Sequence, residues 1–386
     1  MCRPAPLDVA ELSILPSPIE STIAARLFRS IAFLVVSVGC ATAWLGGPPA
    51  LAQGLPQPAP PPPAPTPSVV YRAHNQNAIH DFQTNPEIVR RMTNALVLAV
   101  THQPDVASAW RSLVRPNDRI GIKISAAGGE IFTTHREIVN TIVDGLVAAG
   151  HSRRDIIVWD RSLAGIKEAG YTEREGYQLK SIPPRDGYDL KATYSAPFLG
   201  NLIWGDSEYL SSGGQLPLLS ETENTSSVSH FSKIVANEVT KIINLPVLSD
   251  NVRNGVAGCL YNVTIPNIDN WRRFGLPPDY GASSIPEIYY DPHIGQKVVF
   301  NLMDGLQAQY AGGPESQPGY SFPFATLYAS KDPVAIDAIA LRQLEEWRKK
   351  RKVPPIKRLG AHIMMAGQFG LGNADPSRIE VRDVGP

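Results

Sequence analysis

The sequence predicts an α/β fold: a mixed, mainly parallel sheet with helices on both faces and irregular loop excursions. Three observations carry that expectation. Arg119–Ser162 reads as strand, loop, helix, strand, the pattern of a βαβ unit. Later apolar runs, Lys241–Leu248 (KIINLPVL) and Val298–Asp304 (VVFNLMD), read as further strands. Between and after them lie segments with apolar residues at helical spacing, each with its own start signal.

The first 67 residues belong to no core. Ile31–Leu45 is the long apolar run of the chain, preceded by Arg26 and Arg29, and Ala50-Leu51-Ala52 fits a small-x-small cleavage site before Gln53. Residues 1–52 are therefore expected to be a signal peptide, with the mature protein periplasmic or secreted. An uncleaved anchor is the other reading, although the run is short for a membrane span. Residues 53–67 are proline-rich and are expected to be a disordered linker, and 68–386 to be the α/β domain.

Composition narrows the function. Of 386 residues, 43% are hydrophobic and 19% charged, in the range of globular enzymes. Lys+Arg and Asp+Glu are 36 each, and a net charge of zero argues against nucleic acid as a partner. The membrane is expected to matter only through the signal segment before cleavage. Cleavage would leave Cys259 alone among the three cysteines, so neither a disulfide nor an iron–sulfur cluster is expected.

Taken in order, Asn85 and Pro86 open a helix with Ile88, Val89, Met92, Leu96 and Val100 on its apolar face. Arg119–Ser125 is the first strand of the βαβ unit. Thr134-His135-Arg136-Glu137 reads as a capping box, Ile138 to Val147 as an apolar helical face, and Gly150 as its stop. Asp155–Trp159 is the next strand. Residues 164–232 lack a sustained period and are read as an irregular excursion over the crevice, with short strands near Asn201–Trp204. Asp332 and Pro333 open a helix reaching about Trp347; another lies near Leu359–Ala366, before a terminal strand at Ile379–Val381.

This arrangement puts Lys123, His135 and Asp160 near the carboxyl edge of a parallel sheet, where open α/β folds bind ligands. They are the candidate catalytic residues. An ammonium inside the run Ile120–Ile124 must be paired, reach a polar cleft or snorkel to water. Lys123 thus either holds an anion or is the partner of Asp160. Gly128 and Gly129, with the helix start at Thr134, offer free N–H groups to a small anionic ligand. Asp160, Asp250, Asp304 and Asp332 each end a candidate strand. If these strands all run parallel, the first three can hold a divalent metal, while Asp332 has a plain helix cap as its simpler role.

The chain resembles domain of unknown function family 362. The matching stretches are Ile122-Lys123 with Thr133-Thr134-His135; Trp159-Asp160-Arg161-Ser162; Ile243–Leu248; Gly255-Val256 with Asn262; Met303-Asp304-Gly305 with Gly312-Gly313-Pro314; and Ser330–Ala335 with Asp337. The resemblance implies an α/β group without a settled activity, exported in its secreted bacterial branch. It adds Thr133, Arg161, Asn262 and Lys331 to the candidate ligand-binding residues. The chain departs from the family pattern at Ser249, Asn251 and Tyr261, where members often carry Lys, His or a Lys-Asn pair. The resemblance therefore implies that a basic, proton-transferring part of the family's site is absent here. The expected functions are an enzyme acting on a small anionic substrate, with or without a divalent metal, or a non-catalytic ligand-binding protein of the cell envelope.

Overall fold

A computed structural model describes residues 66–184, 186–201, 225–356 and 359–385. The signal-peptide segment, nearly all of the proline-rich segment and Leu202–Trp204 lie outside the described residues. The strands are β1 (Ser68–His74), β2 (Ile79–His80), β3 (Gln83–Thr84), β4 (Ile120–Ile124), β5 (Ile157–Trp159), β6 (Gln178–Lys180), β7 (Tyr188–Asn201), β8 (Thr225–Ser232), β9 (Lys241–Leu245), β10 (Val247–Asn251), β11 (Gly255–Val256), β12 (Val298–Gln309), β13 (Ser321–Ser330) and β14 (Ile379–Asp383). The α-helices are α1 (Pro86–Thr101), α2 (Val106–Leu113), α3 (Arg136–Ala148), α4 (Leu163–Glu168), α5 (Cys259–Thr264), α6 (Ser284–Tyr290), α7 (Pro333–Lys350) and α8 (Ala361–Gln368).

The main sheet has the order β14-β1-β13-β12-β9-β4-β5-β6, with β10 and β11 attached beside β12. Strands β12, β9, β4, β5 and β6 are parallel neighbours. β13 is antiparallel to both β12 and β1, and β14 pairs parallel with β1. The sheet is therefore mixed and mainly parallel, as the βαβ pattern implies.

Strand alternation decides which face each side chain meets. Ile120, Ile122 and Ile124 of β4 join one core with Met92 and Leu96 of α1, Trp110 of α2, and Ile138, Ile142 and Leu146 of α3. Trp159 of β5 and Ile242 of β9 turn to the other core, which takes Leu260 and Val263 of α5, Ile288 of α6, Val334 of α7 and Ile363 of α8. Lys123, between Ile122 and Ile124, consequently points to the α5 side.

Four local expectations change. KIINLPVL is two strands rather than one, because Pro246 supplies no N–H and the chain breaks between β9 and β10. Thr134 is not the cap of α3: His135 holds the N-cap position without a side-chain bond, since the Thr134 hydroxyl donates to Leu245 O (2.7 Å). The acid-ended strands are not all parallel. β13 runs the other way, so Asp332 lies at the opposite edge and caps α7 through Ala335 N (2.9 Å). The supposedly irregular stretch after α4 contains an antiparallel pair, β7 with β8. Buried Arg273 holds that pair, donating to Phe198 O (2.5 Å) and Ser229 Oγ (2.9 Å).

Candidate functional site

Lys123 is completely buried, yet its ammonium has three acceptors: Asp160 Oδ1 (2.6 Å), Ile124 O (2.6 Å) and Asn262 Oδ1 (3.3 Å). An ammonium has three protons, and all are used inside the protein. Burial pulls its pKa below the ordinary lysine value, with the Asp160 charge working against that pull. Asp160 follows β5 and is 7% exposed. Its Oδ1 also accepts from Arg161 N (2.8 Å), and Oδ2 accepts from Ala126 N (2.7 Å). Of the two sequence readings, the structure supports the partner role for Lys123.

The pair is extended sideways by amides. Asn262 Nδ2 donates to Asn244 Oδ1 (2.9 Å), and Asn244 Nδ2 donates to Asn301 Oδ1 (2.9 Å) and Cys259 O (2.9 Å). These bonds tie β5, β4, β9 and β12 to α5 through buried polar groups, although Asn301 Nδ2 at the end of the relay has no partner.

Above Asp160 lies a cavity of about 340 Å³. Its lining includes Asp160, Arg161, Asn262, Tyr261, Trp271, Pro314, Glu168 and Glu315. Glu168 and Glu315 are exposed, while Tyr261 and Trp271 are half-buried. Arg161 Nε donates to Pro266 O (3.2 Å), and its Nη2 donates to Ile265 O and to Ile268 O (2.9 Å). Its guanidinium also stands 4.8 Å from the centre of the Trp271 ring, a cation–π distance. Arg161 therefore binds the chain's own carbonyls and fixes one cavity wall. Burial pushes the Tyr261 phenol up, against the pull of Arg161 and a hydrogen bond to Asn251.

His135 and Asp304 form a second pair. Asp304 Oδ2 accepts from His135 N (2.8 Å) and contacts His135 Nδ1 (2.7 Å), and Oδ1 accepts from Leu306 N (3.0 Å). Burial opposes charge on His135, but the Asp304 carboxylate prevails and raises its pKa above the usual histidine value. The anion at the start of α3 is thus a carboxylate of the protein. His135 is not among the residues lining the cavity over Asp160, so the two pairs do not make one constellation.

The remaining sequence candidates are placed as follows. Gly128 serves the turn that closes the β4–α3 loop: a Cβ there would lie 1.8 Å from Phe132 O. Gly129 has φ 62° and donates to Ala126 O (3.3 Å). Thr133 Oγ1 donates to Ser125 O (2.9 Å). These bonds fold the loop between β4 and α3 on itself. Lys331 is exposed at the opposite edge, next to Asp332, because β13 is antiparallel. Asp250 accepts from Gly312 N (3.1 Å), Gly313 N (2.9 Å) and Arg348 Nη1 (3.3 Å), so it anchors the loop that carries Pro314 and Glu315. Among the described residues no three His, Cys, Asp or Glu side chains are grouped to hold a metal, and Asp160, Asp250 and Asp304 have separate partner sets. Trp271, Glu168 and Glu315 were not singled out from sequence. The available signals were a tryptophan in the polar run Asn267–Arg273 and an acid directly after Gly312-Gly313-Pro314.

Comparison with known proteins gives a family match over part of the chain and a remote structural similarity. A family model described as domain of unknown function (DUF362) matches residues 212–342. That match includes β9 to β13 and Asp250, Asn262 and Asp304, and begins after Lys123, His135 and Asp160. A crystal structure of a protein from Thermotoga maritima is similar at 10% identity and a TM-score of 0.38, over 75% of this chain. The chain spans 60% of the length of that protein. No curated protein matches. The resemblance read from the motifs is therefore matched in part: residues 212–342 are similar to the domain of unknown function 362 family.

Proposed function

We propose that the protein binds a small molecule rich in hydrogen-bond donors, an amine or a polyol, in the cavity over Asp160. One observation carries this reading. The exposed charged groups of the cavity are the carboxylates Glu168 and Glu315, with buried Asp160 beside them; the lining cation Arg161 is bound to the carbonyls of Ile265, Pro266 and Ile268, and Lys123 spends every proton inside the protein. Asp160 Oδ2 accepts one bond, from Ala126 N, and has acceptor capacity left. Tyr261 and Trp271 add aromatic surface, the usual companion of a few polar groups in small-molecule sites. This departs from the anionic ligand expected from the sequence, for which the Lys123 ammonium was the holding group; that ammonium is occupied by protein acceptors.

The test is thermal melting with four classes of small molecule: amines, polyols, carboxylates and phosphates. Amines or polyols should raise Tm in a concentration-dependent way. The Glu168→Gln/Glu315→Gln variant should weaken that shift. Stabilisation by anions alone would contradict the reading.

The His135–Asp304 pair supports a second reading, proton transfer to a small anionic substrate, with or without a divalent metal. Its His135→Gln variant should then abolish turnover while sparing binding over Asp160; unchanged turnover would reject it. We also infer export to the periplasm or beyond, from Ile31–Leu45 and Ala50-Leu51-Ala52. The N-terminus of protein from its native host should lie near Gln53, and an intact residue 1–50 segment on a cytoplasmic form would refute export.

A further inference from the structure

Helix α7 ends in an unbroken basic run, Arg348-Lys349-Lys350-Arg351-Lys352, in a chain whose 36 basic and 36 acidic residues balance. Arg348 is spent internally: Nη1 donates to Tyr310 O (2.8 Å) and Asp250 Oδ2 (3.3 Å), and Nε to Pro354 O (2.7 Å). The next four side chains are exposed, and none takes part in an ion pair among the described residues. Arg342, one turn and a half earlier, does pair with Glu346 (3.2 Å). A cation or two would complement the negative end of the helix dipole. Four unneutralised neighbours repel one another, and the dipole alone does not account for them.

The way the helix ends adds an independent observation. Val353 N donates to Arg348 O (2.9 Å) and Lys352 N to Lys349 O (3.3 Å), with Lys352 in the left-handed conformation at φ 57°. This is the place where a helix ordinarily takes glycine, which has no Cβ to crowd the following carbonyl. A lysine here keeps a charge at a conformational cost. Beside the run is a groove of about 680 Å³ whose lining includes Arg342, Lys349 and Lys352, with Val353, Pro354 and Pro355. Its two glutamates are engaged: Glu345 accepts from Ile356 N (2.7 Å), and Glu346 from Arg342 and Gln343. Cationic side chains thus share one groove with an apolar strip.

We propose that this end of α7 docks on an anionic phospholipid surface. A headgroup phosphate meets Lys349 and Lys352 at the groove, the Val353–Pro355 strip meets the apolar boundary, and Lys350 and Arg351 face neighbouring headgroups. Local clusters of basic residues are drawn to anionic leaflets in this way. A nucleic acid fits less well, because the chain as a whole is neutral and the groove offers an apolar wall where a phosphate backbone has none.

Co-sedimentation of the full chain with vesicles tests this. Vesicles of phosphatidylcholine with phosphatidylglycerol should bind about tenfold more chain at low salt than phosphatidylcholine alone, and high salt should remove the difference by screening. The variant K349Q/K350Q/R351Q/K352Q should lose the difference. Lys352→Gly separates charge from structure, because it should raise Tm by relieving the left-handed lysine and still weaken vesicle binding. Equal binding to both vesicles, or a quadruple variant that binds like the wild type, would overturn the proposal. So would duplex DNA or inorganic phosphate that displaces the vesicles at matched charge.

Discussion

Replacing Lys123 with methionine should lower the unfolding free energy by about 3–5 kcal/mol, because it leaves the buried Asp160 carboxylate without its counter-charge. The Ile124 carbonyl and Asn262 Oδ1 lose a donor at the same time. The double variant Lys123→Met/Asp160→Asn should recover much of the loss, since no uncompensated charge then remains in the core. Chemical denaturation of the three proteins measures both quantities. A Lys123→Met protein as stable as the wild type, with its ligand binding gone, would return Lys123 to the role of an anion holder.

Asp337 offers the second large effect. It is fully buried and accepts from Cys259 N (2.6 Å) and Leu260 N (2.9 Å), so it caps α5, the helix that carries Tyr261 and Asn262. Asp337→Ala should cost about 1–3 kcal/mol for each N–H left stranded. Burial pushes the carboxyl up to about 7, against those two backbone N–H bonds. The sign of the pH effect follows. Between the usual carboxylate value near 4 and about 7, the folded protein holds a proton that the unfolded chain has released. The contribution of this group to stability is therefore full below about pH 4 and is lost as pH rises through 7, at up to roughly 1.4 kcal/mol per unit. Asp337→Asn keeps an acceptor and cannot titrate. The stability difference, wild type minus Asp337→Asn, should fall across that window, and a flat difference would place the carboxylate in its ionised form throughout. The difference is the right measure because His362 acts oppositely. That histidine is buried without a partner on either ring nitrogen, and burial pulls it down to about 4, so its contribution is lost as pH falls.

Regular elements were the legible part of the sequence. The helix α1 begins at Pro86 as the Asn85-Pro86 signal requires, and Asn85 Oδ1 accepts from Ile88 N (3.3 Å). The unit β4–α3–β5 follows from periodicity and from the alternation that buries Ile120, Ile122 and Ile124 together. Strand direction was less legible, because an apolar run has the same composition in either sense. β13 reads like its neighbours and runs against β12, which moves Asp332 and Lys331 to the far edge. Thr134 shows a limit of local motifs. Its hydroxyl is taken by Leu245 O, 111 positions away in sequence, and no spacing rule anticipates that competitor.

The site was legible in its buried charges and illegible in its walls. An ammonium inside an apolar strand had to find a counter-charge, and Asp160, directly after the adjacent strand β5, is where it found one. The number of acceptors around Lys123 decides between partner and ligand holder, and two of the three come from groups a strand pattern does not weigh: a carbonyl and an amide on α5. Trp271, Pro314, Glu168 and Glu315 come from loops and the short helix α4, which lack a period that would place them together. The loop after β12 is drawn to the cavity by Asp250, which sequence reading had assigned to a metal.

The most direct measurement is a crystal structure of the chain purified from its native host with whatever it retains. The account predicts a molecule over Asp160, donating to its Oδ2 or to Glu168 or Glu315, with the Lys123 ammonium still bound to Asp160, Ile124 O and Asn262. A bound anion held by the Lys123 ammonium, with the Lys123–Asp160 pair opened, would contradict it.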